Sequence, residues 1–216
     1  MGFAKAHSRH WLRYAIAVLA VGLLVVLFPP FHVRGLVTPD GDSPSTTAGF
    51  ESAAAARQMW EQGIPAVSER AVEVNELAAA LAADPGAAAR FGKQVGLGGK
   101  FYFFVRGAGR VGAIDSAGVH LSIDVPRAEV VLRTGPVFGN ALRDAPGLFD
   151  INAHSSFDAN ALSTELNRIA ETNVQPALLA IASPGKELFF TACGEASHAN
   201  GAVTLKLIAI SVEAVP

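Results

Sequence analysis

This sequence lacks cysteine pairs, an excess of charge of one sign and the signatures of common hydrolases. Its 216 residues include one cysteine, Cys193, which excludes a disulfide within the chain. The formal net charge is −2, so no global positive field attracts nucleic acid or anionic lipid. Neither GxSxG nor HExxH occurs, and the histidines after residue 31 have no paired ligand spacing. We therefore expect no catalytic residues, no metal site and no cofactor.

Two glycine-rich segments resemble nucleotide-binding motifs but lack features that those motifs need. Gly107 to Gly112 fits GxGxxG, but a strand and a turn follow where the motif needs a helix, so a bend in a strand is favoured. Gly96 to Lys100 resembles a phosphate loop but lacks the hydroxyl residue after the lysine. Cys193 lies in a strand pattern and is predicted to be a buried, inert thiol.

What the sequence does contain is a long apolar run near its start. Residues 14–31 (YAIAVLAVGLLVVLFPPF) carry no charge, and eighteen helical residues rise roughly 27 Å, which is close to the thickness of a bilayer core. Lys5, Arg9 and Arg13 precede the run, and this bias predicts a cytoplasmic N-terminus. We expect a single-pass anchor in a bacterial inner membrane, with everything after it in the periplasm.

The anchor reading leaves two alternatives, a cleaved signal peptide and a buried core helix. No small-x-small cleavage pattern follows the run, and no cysteine follows it for lipid attachment. A core helix of this length without a polar face is unusual. The predicted organisation is a basic cytoplasmic tail (1–13), an anchor or uncleaved signal (14–31), a flexible linker (32–48) and a periplasmic α+β domain (49–216).

Within the domain, the pattern changes from helical to extended. Residues 49–98 read as three helices, the first ended by Gly63 and Pro65, the second capped by Ser68 and the third started by Asp84-Pro85. Residues 99–216 read as three strands, a helix capped by Ser155, and two strands that turn at Asn200-Gly201. With 101–115 as one bent strand, this order predicts a small OB-like antiparallel barrel.

An OB-like barrel raises the possibility of nucleic-acid binding, which the charge disfavours. Residues 99–216 contain nine lysines and arginines against eleven aspartates and glutamates. Single-strand binders need a basic groove. We expect no nucleic-acid partner.

A Gly/Pro-punctuated loop, Thr134 to Ala145, is the candidate site. Arg143 there has the geometry to bind a carboxylate or a pair of sugar hydroxyls. In the alternative, Arg143 and Asp144 pair with neighbours and the loop is structural. The candidate ligand- or partner-binding residues are Asn140, Arg143, Asp144 and Asn167.

Several segments resemble a known family. GGKFYFFVRGAGRVGAID, LRTGPVFGNALRDA, ALSTELNR and GKELFFTACGEA are similar to an uncharacterised bacterial family labelled predicted periplasmic lipoproteins. The resemblance covers roughly residues 49–215 and singles out Gly135, Pro136, Gly139, Ala141, Leu142, Arg143, Asp144 and Asn167. It brings no known activity. Members are often encoded beside sugar-type ABC transporter genes, which implies an accessory role in solute uptake.

Three functions are compatible with these features. The first is a non-enzymatic accessory or binding module that contacts an ABC transporter or its solute-binding protein. The second is an envelope hydrolase that uses Asp144 or Asp150, and the third is a purely structural envelope protein. A pocket lined by Arg143 and an acid of raised pKa would favour the enzyme. The first function agrees best with the absence of catalytic motifs.

Overall fold

Short helices occupy the N-terminal part of the domain. The computed structural model describes residues 51–95 and 100–215, which belong to one compact unit, Ala48–Pro216. The helices of this part are α1 (Ser52–Gln58), α2 (Ile64–Ala66), α3 (Val74–Ala83) and α4 (Ala88–Phe91). Met59–Gly63 forms a π-helical turn between α1 and α2, and 3₁₀ turns lie at Ser68–Arg70 and Pro85–Ala87. As predicted, Asp84 caps the last of these turns and accepts a hydrogen bond from the Gly86 amide.

Two helix boundaries differ from the prediction. Gly63 and Pro65 do not end the helical segment. The chain continues through the π-helical turn into α2, and Pro65 lies in the first turn of α2, where a proline is tolerated. Ser68 does not cap a helix, since its hydroxyl instead donates to the Pro65 carbonyl. A short strand, β1 (Val72–Glu73), follows and pairs in parallel with a later strand before α3 begins at Val74.

Five longer strands form a closed ring. Their bounds are β3 (Lys100–Asp115), β4 (Gly118–Ser122), β5 (Ala128–Arg133), β6 (Glu187–Ala199) and β7 (Ala202–Ala214). Hydrogen bonding runs β3-β4-β5-β7-β6, and β3 also pairs with β6, which closes the ring. The β5–β7 pairing is parallel and the other pairings of the ring are antiparallel. The added strands β1 and β2 (Lys93–Val95), both on β3, make it more than a simple five-stranded barrel.

The predicted order of strands, helix and strands is present. Residues 100–115 are one strand, and Asn200 and Gly201 form the β6–β7 turn with positive φ at both positions, 51° and 72°. Between β5 and β6 lie α5 (Ala141–Asp144), α6 (Ser156–Ile169), a π-helical turn (Ala170–Val174) and α7 (Gln175–Ile181). Ser155 caps α6 as predicted, because its hydroxyl accepts from the Asp158 amide.

The ring separates two hydrophobic cores, because successive strand residues point to opposite faces. One core includes Val105, Leu121, Leu132 and Leu205, together with Leu77 and Leu81 from α3 and Leu178 from α7. The other core joins strand residues of the opposite face to the helices. It includes Phe104, Cys193 and Ile208 from strands, Leu142 from α5, and Leu162 and Leu166 from α6. The second core therefore positions α5, α6 and the loop before them.

The predicted anchor, residues 14–31, lies outside the described residues, as do the tail (1–13) and the linker (32–48). Among the helices that the structure does describe, none has the length and apolar character to cross a membrane.

Candidate functional site

A single helix face holds the loop that the sequence singled out. Asn167 Nδ2 donates to the Gly139 carbonyl at 3.0 Å, and Glu171 Oε1 accepts from the Val137 amide at 2.5 Å. Gln175 makes two bonds to Gly135, accepting from its amide at 2.9 Å and donating to its carbonyl at 2.8 Å. These three side chains are spaced four residues apart and bind alternate residues of the loop, Gly139, Val137 and Gly135. The loop is thereby fixed to the helix.

The π-helical turn Ala170–Val174 joins α6 to α7 in the helical segment that carries these three side chains. It ends at Val174, two residues before Pro176, which has no amide hydrogen and would clash in the interior of a regular α-helix. The wider turn accommodates the proline and sets where Glu171 and Gln175 point. π-helical turns of this kind are frequent at functional sites.

Phe138 projects from the fixed loop into solvent. Its neighbour Val137 is buried, but Phe138 is 75% exposed. The backbone on both sides is hydrogen-bonded to the helix, through Val137 and Gly139. The protein thus holds an aromatic ring in the open, where burial would be more favourable by about 2 kcal/mol.

A groove of about 550 Å³ lies between this loop and α6. Beside the Phe138 ring, the polar side chains of its lining include Asn140, Asn160, Thr164, Asn167, Arg168 and Glu171. Asn140 is half-buried, and its side chain makes no hydrogen bond with any described residue. Arg168 is held by Glu165, with contacts of 2.8 and 2.9 Å. The groove therefore offers amide groups and an aromatic ring to a ligand.

Asn167 has an unsatisfied acceptor. The residue is 7% exposed, and its Oδ1 atom has no hydrogen-bond partner among the described residues. An acceptor left in this state costs about 1–3 kcal/mol, so such atoms call for an explanation. Because Asn167 lines the groove, a ligand that carries a hydroxyl or amide hydrogen would supply the missing donor once the atoms that cover Oδ1 move aside.

Arg143 and Asp144 bind each other inside the protein. Arg143 Nε and Nη2 donate to the two carboxylate oxygens at 2.8 and 3.0 Å, and the residues are 2% and 6% exposed. Arg143 Nη1 donates to the Ala159 carbonyl on α6 at 2.8 Å, and the guanidinium lies 5.6 Å from the Phe149 ring. Neither residue lines the groove. This geometry favours the structural interpretation of the pair, which ties α5 to α6.

Asp150 also has a local structural role. It is exposed and accepts hydrogen bonds from the Asn152 amide and side chain, at 2.9 and 3.3 Å. Both candidate carboxylates of the hydrolase alternative are therefore engaged, and neither lines the groove. No group of metal-binding side chains occurs among the residues in the described ranges. Cys193 is fully buried, and burial raises the pKa of its thiol well above the usual value.

Sequence reasoning identified Asn140 and Asn167 but missed the residues around them. Phe138 carried a signal, since it is an aromatic residue within a Gly/Pro loop. Glu171 and Gln175 follow Asn167 at helical spacing, which was a second signal. Their contacts with residues 135–137 join positions about forty apart in the chain, so a local pattern does not reveal them.

The closed ring, with its helix between β5 and β6, defines the class of protein as a single OB-type domain with added helices. A solved structure, an OB-fold protein from Thermotoga maritima MSB8, is similar with a TM-score of 0.64 and 23% identity. The match covers 77% of this chain and 99% of that chain. At this identity the likeness shows the fold alone.

The family described as "Predicted periplasmic lipoprotein (DUF2291)" matches residues 23–212. The chain belongs to this family, which confirms the resemblance drawn from the sequence. No curated protein matches the chain. The family description points to the periplasm and names no activity, ligand or partner.

Proposed function

We propose that this protein is a membrane-tethered, non-enzymatic binding module of the periplasm. Its ligand or partner binds in the groove between the loop 135–139 and α6. The observation that carries the proposal is Asn167, which lines the groove and whose buried Oδ1 lacks a donor. The half-buried amide of Asn140 and the exposed ring of Phe138 lie on the same groove. A structural role alone requires neither an open aromatic ring nor an unsatisfied acceptor.

The tether is residues 14–31, as a single pass of the inner membrane with the domain in the periplasm. Its support is the uncharged run and the basic residues before it. A lipid on cysteine, which the family description implies, has no residue to attach to after the run, since Cys193 is buried in β6. A helical anchor would take the place of the lipid.

The partner is an ABC transporter of solutes, of the sugar type, or its solute-binding protein. This part of the proposal rests on the resemblance to a family whose members are encoded beside such transporters. A groove lined by amides and one aromatic ring suits a hydroxylated solute, because amides exchange hydrogen bonds with hydroxyls and aromatic faces cover apolar ring surfaces. The module would hold solute, or a segment of the transporter, at the membrane surface.

Capture from membranes tests the proposal. The full chain is extracted in mild detergent, and proteins and small molecules that co-purify are identified by mass spectrometry. Asn140→Ala and Asn167→Ala are compared with the wild type. Asn75→Ala serves as the matched control, because Asn75 is an exposed asparagine of α3 that does not line the groove.

We expect the two groove variants to lose a species that the wild type and Asn75→Ala retain. Asn167→Ala removes one hydrogen bond, worth about 1 kcal/mol, and also removes the unsatisfied acceptor, so its stability should change little. Identical capture by all four proteins would refute the groove as the binding site. So would a loss confined to Asn167→Ala that accompanies a fall in stability of more than about 2 kcal/mol, since that marks a structural residue.

A further inference from the structure

A second cavity adjoins the groove. It has a volume of about 190 Å³ and shares Phe138 and Gly139 with the groove. Its floor is the outer face of the ring, where Tyr102, Gly194 and Ile208 lie. The rest of the lining consists of Ala141, the acidic residue Glu195 and three basic residues, Lys100, Arg133 and Lys206. This basic cleft therefore lies against the same loop as the groove.

The charged side chains that line the two cavities differ in whether they form ion pairs. In the groove, Arg168 is paired with Glu165, whereas Glu171 forms no ion pair with a described residue and keeps its negative charge, because its bond is with the neutral Val137 amide. In the basic cleft, Lys100 contacts Glu195 at 2.5 Å. Arg133 and Lys206 form no ion pair or hydrogen bond with any described residue. They are the basic lining residues that no carboxylate of the described residues compensates.

The positions of these two residues are set by the sheet. Arg133 is the last residue of β5, and Lys206 lies on β7, the strand parallel to it. Lys206 is also directly opposite Glu195 on β6, but Glu195 forms its ion pair with Lys100. Strand pairing thus keeps two unpaired cations beside the fixed loop. Cations so placed, next to low-dielectric protein, attract an anion more strongly than isolated surface charges.

We propose that the ligand of the groove carries an anionic group, a carboxylate or a phosphate, which binds Arg133 and Lys206 in the basic cleft. The hydrogen-bond donor of the same ligand reaches Asn167, and its body passes Phe138, the residue common to both cavities. The inference rests on the proposed function, because it names the ligand class of that site. An arginine fork suits the oxygens of either anion, so the two are separated by experiment.

Three probes that differ at a single carbon test this inference. Glucose, glucuronate and glucose 6-phosphate present the same hydroxyl-bearing ring with no anion, a carboxylate or a phosphate. Their affinities for the full chain in detergent are measured by calorimetry. The double variant Arg133→Gln/Lys206→Gln is compared with Lys93→Gln/Lys186→Gln, which removes the same charge from exposed lysines outside both cavities.

We expect one of the acids to bind at least about tenfold more tightly than glucose. That advantage should vanish in Arg133→Gln/Lys206→Gln and persist in the control, and the preferred acid identifies the anion. Equal binding of all three probes, or an advantage that survives in Arg133→Gln/Lys206→Gln, would overturn the anionic ligand and leave the groove as a site for neutral solutes. Binding of none of them would also overturn it. The proposed function is judged separately, by what Asn140 and Asn167 capture.

Discussion

At the residue scale, Arg143 and Asp144 use their charges inside the protein. Burial of either charge alone would cost several kcal/mol, and each is accepted because the other lies within 3.0 Å. The third guanidinium nitrogen donates to the Ala159 carbonyl, so the pair also positions α6. An arginine that looks like a ligand-binding residue in the sequence is here a link between two helices.

The pair makes a prediction for stability. Arg143→Ala leaves a buried carboxylate without its cation, and Asp144→Ala leaves a buried guanidinium without its anion. Each variant should lower the free energy of unfolding by about 3–5 kcal/mol in chemical denaturation. The variant that lacks both residues should be less destabilised than the sum of the two, because neither charge is then stranded. Unchanged stability of Arg143→Ala would contradict the structural role.

At the element scale, the β3–β4 hairpin depends on its turn. Asp115 Oδ1 accepts from the amides of Ala117 and Gly118, at 2.8 and 3.3 Å, and lies 3.2 Å from His120 Nε2. The bond from the Ala117 amide is the main reason why the pKa of Asp115 is below its ordinary value, and the bond from His120 adds to it. The turn therefore favours the ionised carboxylate.

The lowered pKa predicts a pH dependence. A carboxyl whose pKa is lower in the folded state contributes stability above its unfolded pKa and loses that contribution as the pH falls through the folded value. Asp115→Asn, which keeps the acceptor oxygen, should be less stable than the wild type at neutral pH and should equal it in acid. Asp115→Ala, which removes the acceptor, should remain the less stable protein throughout. Melting curves from neutral to acid pH would show this, and a constant gap for Asp115→Asn would count against it.

Gly118, where β4 begins, is a second element-scale constraint. Its φ is 142°, and a Cβ there would lie 2.1 Å from the Leu132 carbonyl oxygen on β5. Because the obstacle is backbone, Gly118→Ala should cost about 1–3 kcal/mol or more in the free energy of unfolding. Gly112→Ala on β3 is the control, since its nearest atom would be 3.8 Å away. Denaturation that affects the two variants equally would show that the close approach is unimportant.

At the scale of the whole molecule, the proposed tether makes the topology testable. A phosphatase that works only in the periplasm, fused after Pro216, should be active, and a reporter that fluoresces only in the cytoplasm should be dark there. The reason is the charge bias of Lys5, Arg9 and Arg13 before the apolar run. The protein should also stay in membranes after a carbonate wash. A bright cytoplasmic fusion, or a soluble form that begins near residue 35, would contradict the anchor.

The sequence by itself determined the order of elements and several of their boundaries. Ser155 as a cap, Asn200-Gly201 as a turn and residues 100–115 as one strand depend on local conformational preferences, which short segments carry. The π-helical turn before Pro65 was not predicted, and neither was the strand at Val72, which exists through its pairing with β3, a strand distant in the chain.

Only the tertiary structure decided which candidate residues face a ligand. The sequence makes Asn167 and Arg143 equal candidates for ligand binding. In the structure, Arg143 is buried against α6, whereas Asn167 lines the groove. Likewise Arg133 and Lys206, which are more than seventy residues apart in the chain, line the same cleft because β5 and β7 pair in parallel. Burial and charge pairing depend on which segments pack together, and that choice is made by the whole chain, not by any local pattern within it.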